Sequence, residues 1–79
     1  MKILFFGALS EIVGQDQIEI TALSAMPLDS DSLQLNWQER YPTFANVFYR
    51  IAVNKQIINE NTTLSPSDEI AFLPSFSGG

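Results

Sequence analysis

Short apolar segments with two different spacings predict a small α+β domain. The continuous apolar run at residues 2–6, closed by Gly7, is typical of a strand covered on both faces. Strict alternation of polar and apolar residues over residues 17–21 instead predicts a half-buried strand that turns Ile18 and Ile20 toward the core. The first strand is therefore expected in the middle of a sheet and the second at or near an edge.

Two other segments have helical spacing. Residues 8–13 place apolar side chains on one face, and Gly14 follows where a helix end favours glycine, so a short helix is predicted. A longer helix is predicted over residues 32–41, opened by a cap at Asp31 and ended by Pro42. Its apolar stripe consists of Leu33, Trp37 and Tyr41. We interpret the tryptophan of this stripe as a core residue and not as a ligand platform.

The C-terminal half predicts three more strands. Residues 47–53 and 56–58 are rich in strand formers, and Asn54-Lys55 between them predicts a hairpin. Residues 69–74 form the last predicted strand. Prolines and turn formers predict connecting loops over residues 22–30 and 62–68. This order of elements predicts a four- to five-stranded mixed sheet with one main helix and a short helix, the β-grasp (ubiquitin-like) order among α+β folds.

Composition excludes several kinds of function. The 79 residues include no Cys and no His, which excludes a disulfide scaffold, a zinc site built on those ligands and a Cys or His nucleophile. A formal charge of −5 has the wrong sign for nucleic acid or an anionic membrane and favours a basic protein partner. No apolar stretch approaches the ~20 residues of a membrane span. The apolar start meets Ser10-Glu11 without a cleavage site, so a cytoplasmic protein is expected.

Carboxylates are the acid–base groups that remain, and they fall in two clusters. Asp29 and Asp31 lie beside the predicted start of the longer helix, whereas Glu60, Asp68 and Glu69 lie in or beside a predicted loop. We interpret both clusters as helix caps and turns and not as catalytic pairs. The sequence contains neither an EF-hand loop nor a phosphate-cradling glycine loop, so no metal or cofactor is expected to bind this chain itself.

The sequence closes on Gly78-Gly79, a few residues after the last predicted strand. Two residues without side chains make a narrow stalk that fits into an enzyme where a Cβ would clash. A carboxylate at the tip of such a stalk becomes reactive once ATP converts it to an acyl-adenylate. The alternative interpretation is an ordinary disordered end.

Motifs at both ends of the chain carry a resemblance to a known family. The segments are Lys2-Ile3-Leu4-Phe5-Phe6-Gly7-Ala8, Ala52-Val53-Asn54, Asp68-Glu69-Ile70-Ala71-Phe72-Leu73-Pro74 and Ser77-Gly78-Gly79. Together they resemble the small subunit of molybdopterin synthase over the whole chain. The resemblance implies a β-grasp domain over residues 1–74 and a flexible Gly-Gly tail over residues 75–79.

The resemblance also implies a function. The chain would not be catalytic alone and would act as the sulfur-donating subunit of a heterotetramer. Gly79 would be adenylated by a partner enzyme that uses ATP and then converted to a thiocarboxylate with sulfur from a donor protein. The large synthase subunit would receive that sulfur and build the dithiolene of the molybdenum cofactor. The resemblance implies that Phe6, Ile57 and Leu73 form an apolar surface for the partners. Ser77 and Gly78 are expected to thread the tail into a partner. Phe76, an aromatic residue beyond the last predicted strand with little core left to join, is expected to anchor the tail in a partner groove.

Some residues depart from the family pattern, and other functions stay open. Ser10, Lys55 and Ser75 stand where an arginine, a glycine and a second proline are common in the family. These differences affect the expected contacts with partners and leave the tail chemistry intact.

One alternative function is that of a thiamine-pathway sulfur carrier, against which Phe72-Leu73-Pro74 argues. The others are a ubiquitin-like modifier attached to lysines and a β-grasp binding module without transfer activity.

Overall fold

The computed structural model describes residues 1–75, which form a five-stranded mixed sheet in the order β2-β1-β5-β3-β4. Its strands are β1 (Lys2–Phe5), β2 (Gln17–Glu19), β3 (Tyr49–Val53), β4 (Gln56–Ile58) and β5 (Glu69–Pro74). Its α-helices are α1 (Ala8–Val13) and α2 (Ser30–Arg40), and two 3₁₀ segments span Leu23–Ala25 and Pro42–Asn46. Strands β1 and β5 pair in parallel, and the other three pairs are antiparallel. The first and last strands therefore lie inside the sheet, as the sequence predicts, and β2 lies at an edge.

The core lies between one face of the sheet and α2. Ile3 and Phe5 of β1 and Ile70 and Phe72 of β5 are at most 2% exposed. The Phe5 ring stacks on Phe72 at 5.5 Å and meets the edge of Trp37 at 5.2 Å. Trp37 is therefore a core residue, as predicted. Burial of a large apolar side chain of this core stabilises the folded state by about 1.5–3 kcal/mol.

One core residue has no signal in the sequence pattern. Phe44 is fully buried within the second 3₁₀ segment, which starts at Pro42. Its ring packs edge-on against Phe72 at 5.7 Å and against Tyr49 at 5.8 Å. A segment of five residues is too short to show a helical period, so only the three-dimensional structure identifies it as part of the core.

The start of α2 corrects the sequence analysis. The cap is Asp29 and not Asp31, because the Ser32 backbone N–H donates to the Asp29 carboxylate at 2.8 Å. The helix begins at Ser30, whose buried hydroxyl accepts from the Thr62 backbone N–H at 2.9 Å. Because of this contact with the loop before β5, the helix begins two residues earlier in the sequence than predicted. The hydrogen bond from Ser32 also lowers the pKa of Asp29 below its ordinary value of 3.8.

The predicted end of α1 and the predicted hairpin turn are confirmed, whereas two strand bounds differ. Gly14 ends α1 in the left-handed conformation with φ 85°. Asn54 and Lys55 have φ values of 51° and 71°, as a tight two-residue hairpin turn requires. Strand β5 covers the predicted residues, whereas β2 ends at Glu19, two residues earlier than predicted. Strand β3 begins at Tyr49, two residues later than predicted, because Val47 caps the second 3₁₀ segment. Within residues 1–75, no helix has the length and apolar character needed to cross a bilayer.

Candidate functional site

The face of the sheet that points away from α2 is apolar at its centre. Leu4 lies beside Ala71, Ala71 beside Ala52, and Ala52 beside Ile57, so these residues form one row across four strands. Their sequence neighbours in β1 and β5 point into the core, and alternation along a strand puts this row on the opposite face. We call the following residues the outer patch: Leu4, Phe6, Ala52, Ile57, Ala71 and Leu73.

The outer patch is a shallow groove with large residues at its ends. Phe6 is 45% exposed and Ile57 is 49% exposed, whereas Leu73 is half-buried. Between them, Ala52 and Ala71 carry only a methyl group, which leaves space above the sheet. An apolar groove of this kind, framed by partly exposed large side chains, is typical of a protein interface.

Charged residues surround the outer patch. Lys55 and Glu69 line the same groove, and Arg50 is paired with Leu73 across the β3–β5 ladder. The Arg50 guanidinium donates a hydrogen bond to the Asn59 side chain.

The charge of this face differs from the charge of the whole chain. Three of the four basic residues, Lys2, Arg50 and Lys55, belong to the outer side of the sheet. Two acidic residues, Glu19 and Glu69, are paired with Lys2 on the same side, so this face has a more even balance of charges than the net charge of −5 suggests.

The chain leaves the sheet directly beside the outer patch, at Pro74 and Ser75, which we call the tail exit. Pro74 is paired with Tyr49, and the Ser75 backbone N–H donates to the Phe48 carbonyl at 2.9 Å. On the other side, the turn at Gly7 approaches so closely that a Cβ there would lie 3.1 Å from Pro74 Cγ. The tail exit is therefore held from two directions.

The structure brings three of the predicted partner residues together. Phe6, Ile57 and Leu73 line one groove. The other predicted site residues lie outside the described residues; they are Phe76, Ser77, Gly78 and Gly79.

The sequence analysis missed other members of this surface. Leu4 is detectable in retrospect, because it alternates with the core residues of β1. Ala52 and Ala71 carry no hydrophobic signal of their own, and only the strand register brings them together. Phe48 is 63% exposed beside the tail exit and was also missed.

Two of the described carboxylates, those of Asp29 and Asp68, have structural roles at the start of a helix and in a turn. The Asp68 carboxylate accepts from the Ser65 backbone N–H at 2.7 Å and from the Asn54 side chain at 2.9 Å. Together with the Asp29 cap, these bonds confirm the interpretation of those two residues as cap and turn residues. Among residues 1–75, no three His, Cys, Asp or Glu side chains are grouped so that they could hold a metal ion.

Comparison with known proteins identifies the family. The model of the ThiS family matches residues 3–79. The chain belongs to this family. It is 33% identical to the molybdopterin synthase sulfur carrier subunit of Dictyostelium discoideum over 85 residues, covering 99% of this chain and 94% of the relative. It is 30% identical to the protein of the same description from Mycobacterium tuberculosis over 84 residues, covering 100% of this chain and 96% of the relative.

Two solved structures have a similar fold. Small archaeal modifier protein 1 from Methanosarcina acetivorans aligns with a TM-score of 0.76 at 23% identity, covering 99% of this chain and 94% of that chain. A chain in the complex of subunits 1 and 2 of molybdopterin-converting factor from Helicobacter pylori aligns with a TM-score of 0.65 at 28% identity, covering 99% and 96%. The chain therefore has the β-grasp fold that the sequence predicts, and its resemblance to molybdopterin synthase sulfur carriers is confirmed.

Proposed function

We propose that this protein is the sulfur carrier subunit of a molybdopterin synthase and donates the sulfur for dithiolene formation. The observation that carries this proposal is similarity along the full chain to two curated sulfur carrier subunits. The position of the outer patch, immediately beside the tail exit, supports it. A carrier must dock by its folded body while its tail enters the partner, and these two surfaces adjoin here.

The reacting group in this proposal is the Gly79 carboxylate. One of its oxygens attacks the α-phosphorus of ATP in the adenylating enzyme, and pyrophosphate leaves. Sulfur at the sulfide level, supplied by a donor protein, then displaces AMP and leaves a thiocarboxylate. The absence of side chains at Gly78 and Gly79 allows the acyl carbon to enter a narrow site. ATP is used by the partner, and this chain holds no cofactor of its own.

The docking surface in this proposal is the outer patch. Phe6, Ile57 and Leu73 contact the large subunit and, in a separate complex, the adenylating enzyme, while Phe76 anchors the tail in a partner groove. Both partners need the same tail, so the two complexes exclude each other. The solved complex that contains a similar chain supports a partnership with a second subunit. The proposal also includes action in the cytoplasm and assembly of two carriers with two large subunits.

The decisive test is direct detection of the thiocarboxylate. The protein is produced together with its adenylating enzyme and sulfur donor and is then treated with a thiol-alkylating reagent. The chain contains no cysteine, so the reagent labels only a thiocarboxylate. Fragment masses that place the label on Gly79 support the proposal. No label, with an active adenylating enzyme and ATP present, contradicts it.

A second test identifies the acceptor of the sulfur. The thiocarboxylated chain is mixed with the large synthase subunit and its pterin precursor, and dithiolene formation is measured. Product formation supports the proposal over a thiamine-pathway carrier. A ladder of covalent conjugates in cell lysate, without product formation by the synthase, would instead identify a ubiquitin-like modifier.

A further inference from the structure

We propose that Gly7 is a positioning residue for sulfur transfer, because the turn that it forms fixes where and in which direction the chain leaves the sheet. This inference rests on the proposed function as a sulfur carrier. It concerns the tail exit and not the chemistry at the terminus. Three features of the molecule support it: the conformation of Gly7, its contact with Pro74, and the short distance that the residues after Ser75 can span.

The conformation of Gly7 is accessible mainly to glycine. Its φ is 59° and its ψ is −134°, a combination that strains any residue with an L side chain. The turn is closed by two hydrogen bonds to the Gly7 carbonyl: the Ser10 backbone N–H donates at 3.1 Å and the Ser10 hydroxyl at 2.8 Å. The turn between β1 and α1 therefore presents a fixed backbone surface.

That backbone surface lies against Pro74. A Cβ added to Gly7 would meet Pro74 Cγ at 3.1 Å and its Cβ and Cδ at 3.9 Å. The proline ring is rigid and β3 pairs with β5 on its other side, so it has little freedom to move away. The contact with Pro74 therefore disfavours a side chain at position 7, in addition to the backbone angle that favours glycine there.

The same contact holds the next residue in place. With Pro74 confined between the Gly7 turn and Tyr49, the Ser75 backbone N–H reaches the Phe48 carbonyl at 2.9 Å. A methyl group at position 7 would push Pro74 away by a few tenths of an ångström and weaken this hydrogen bond. The effect would be a shifted tail exit in a domain that otherwise keeps its core.

The position of the exit matters because, in the proposed function, the reacting carboxylate belongs to Gly79, four residues after Ser75. Four extended residues span at most about 14 Å. When the outer patch is docked on a partner, the position of Ser75 determines how far into the partner the following four residues can extend. A displacement of about 1 Å at a reacting group can lower a rate by about 100-fold, so a shifted origin should slow transfer even when docking is unchanged.

The experiment compares Gly7→Ala with Gly14→Ala, a control for substitution at a glycine with positive φ. Gly14 has a φ of 85° and a ψ of 9°, in the left-handed region, and a Cβ there meets nothing within 4 Å. Both substitutions strain the backbone, Gly7→Ala more strongly, and only Gly7→Ala disturbs Pro74. A third variant combines Gly7→Ala with Pro74→Ala, which removes the Cγ that the new methyl group would meet.

Three quantities are measured for each thiocarboxylated chain: the Kd for the large subunit, the single-turnover rate of sulfur transfer at saturation, and the hydrogen-exchange rate of the Ser75 amide. Gly7→Ala should lower the transfer rate by about tenfold or more, with Kd within about twofold of the wild-type value. It should also speed exchange at Ser75. Gly14→Ala should change neither the transfer rate nor this exchange rate, and the double variant should recover much of both.

The outcomes separate this inference from the proposed function. Equal effects of Gly7→Ala and Gly14→Ala on the transfer rate, or unchanged Ser75 exchange in Gly7→Ala, would overturn the positioning role. So would a loss confined to Kd. If the wild-type chain transfers no sulfur, the proposed function fails, whereas the exchange measurement still tests whether Gly7 holds the exit.

Discussion

The two faces of the sheet use similar residues for different purposes. Phe5 and Phe72 on the inner face are at most 2% exposed, because α2 and the second 3₁₀ segment cover them. Their neighbours Phe6 and Leu73 are equally apolar, yet Phe6 stays 45% exposed and Leu73 is only half-buried. The strands thus carry apolar residues toward both sides, while residues 1–75 cover one of these two faces with α2 and the second 3₁₀ segment. The inner face stabilises the fold, and the outer face leaves large apolar side chains partly exposed.

Deleting Gly79 should give the largest separation between folding and function. Residues 76–79 follow the last described contact of the fold at Ser75, so we expect sulfur transfer to be abolished while the midpoint of thermal unfolding is unchanged. Single-turnover transfer and calorimetric melting measure the two effects. Full activity of the shortened chain, or loss of its folding, would contradict the assignment of function to the terminus.

Substituting Phe72 by Ala should destabilise the core on the inner face of the sheet. The side chain is fully buried against the rings of Phe5 and Phe44, so its removal leaves a cavity in the core. We expect a loss of about 3–5 kcal/mol in the free energy of unfolding, measured by urea denaturation. A loss below about 1 kcal/mol would mean that the core collapses around the cavity and is less tightly packed than the structure indicates.

Substituting Leu73 by Asp should test the outer face of the same strand. The new carboxylate faces the groove and not the core, so stability should change little. Binding to the large subunit should weaken by about 2 kcal/mol or more, which is about 30-fold in Kd by calorimetry. Leu35→Asp is the matched control, because Leu35 is a 57% exposed leucine on α2, away from the outer patch. Equal affinity losses in the two variants would contradict a docking role for the outer patch.

The sequence predicts the fold better than it predicts the outer patch, and the two faces of the sheet explain why. Alternation and turn residues are local signals, so the bounds of β5 and the hairpin at Asn54-Lys55 are predicted correctly. The two alanines at the centre of the outer patch come together only through the strand register. Ala52 lies beside Ala71, although the two residues are 19 positions apart in the sequence. Small residues give no hydrophobic signal, and nothing in either segment alone indicates the other.

The start of α2 also shows that local sequence signals are not sufficient to predict the structure. Asp29 and Asp31 are both suitable caps, and the local sequence favours the second. The choice between them is made by Ser30, which bonds to Asn61 and Thr62 in a distant loop. The buried residue Phe44 was missed for a related reason, since a 3₁₀ turn of five residues has no period to detect.

Protonation of Asp29 at acid pH should lower the stability of the fold by weakening the cap of α2, and it should leave the outer patch unchanged. This is the smallest effect we predict. Asp29 caps the helix that covers the core, and hydrogen bonds from Ser32 lower its pKa in the folded state below 3.8. A carboxyl group whose pKa is lowered by folding stabilises the protein above its unfolded-state pKa. That contribution is lost as the pH falls through the folded-state pKa, because the protonated cap accepts the hydrogen bond less well. Asp29→Ala should therefore lower the unfolding midpoint by a few degrees at neutral pH.

The pH dependence distinguishes a cap from a general effect of removing negative charge. The difference in unfolding midpoint between the wild type and Asp29→Ala should narrow as the pH falls below 3.8, since both proteins then lack the charged cap. Asp31→Ala is the control, because Asp31 lies in the first turn of the same helix but does not accept the capping bond. A constant difference at all pH values, or an equal one in Asp31→Ala, would contradict the cap. Affinity for the large subunit at neutral pH should be the same for both variants, because α2 and the outer patch lie on opposite sides of the sheet.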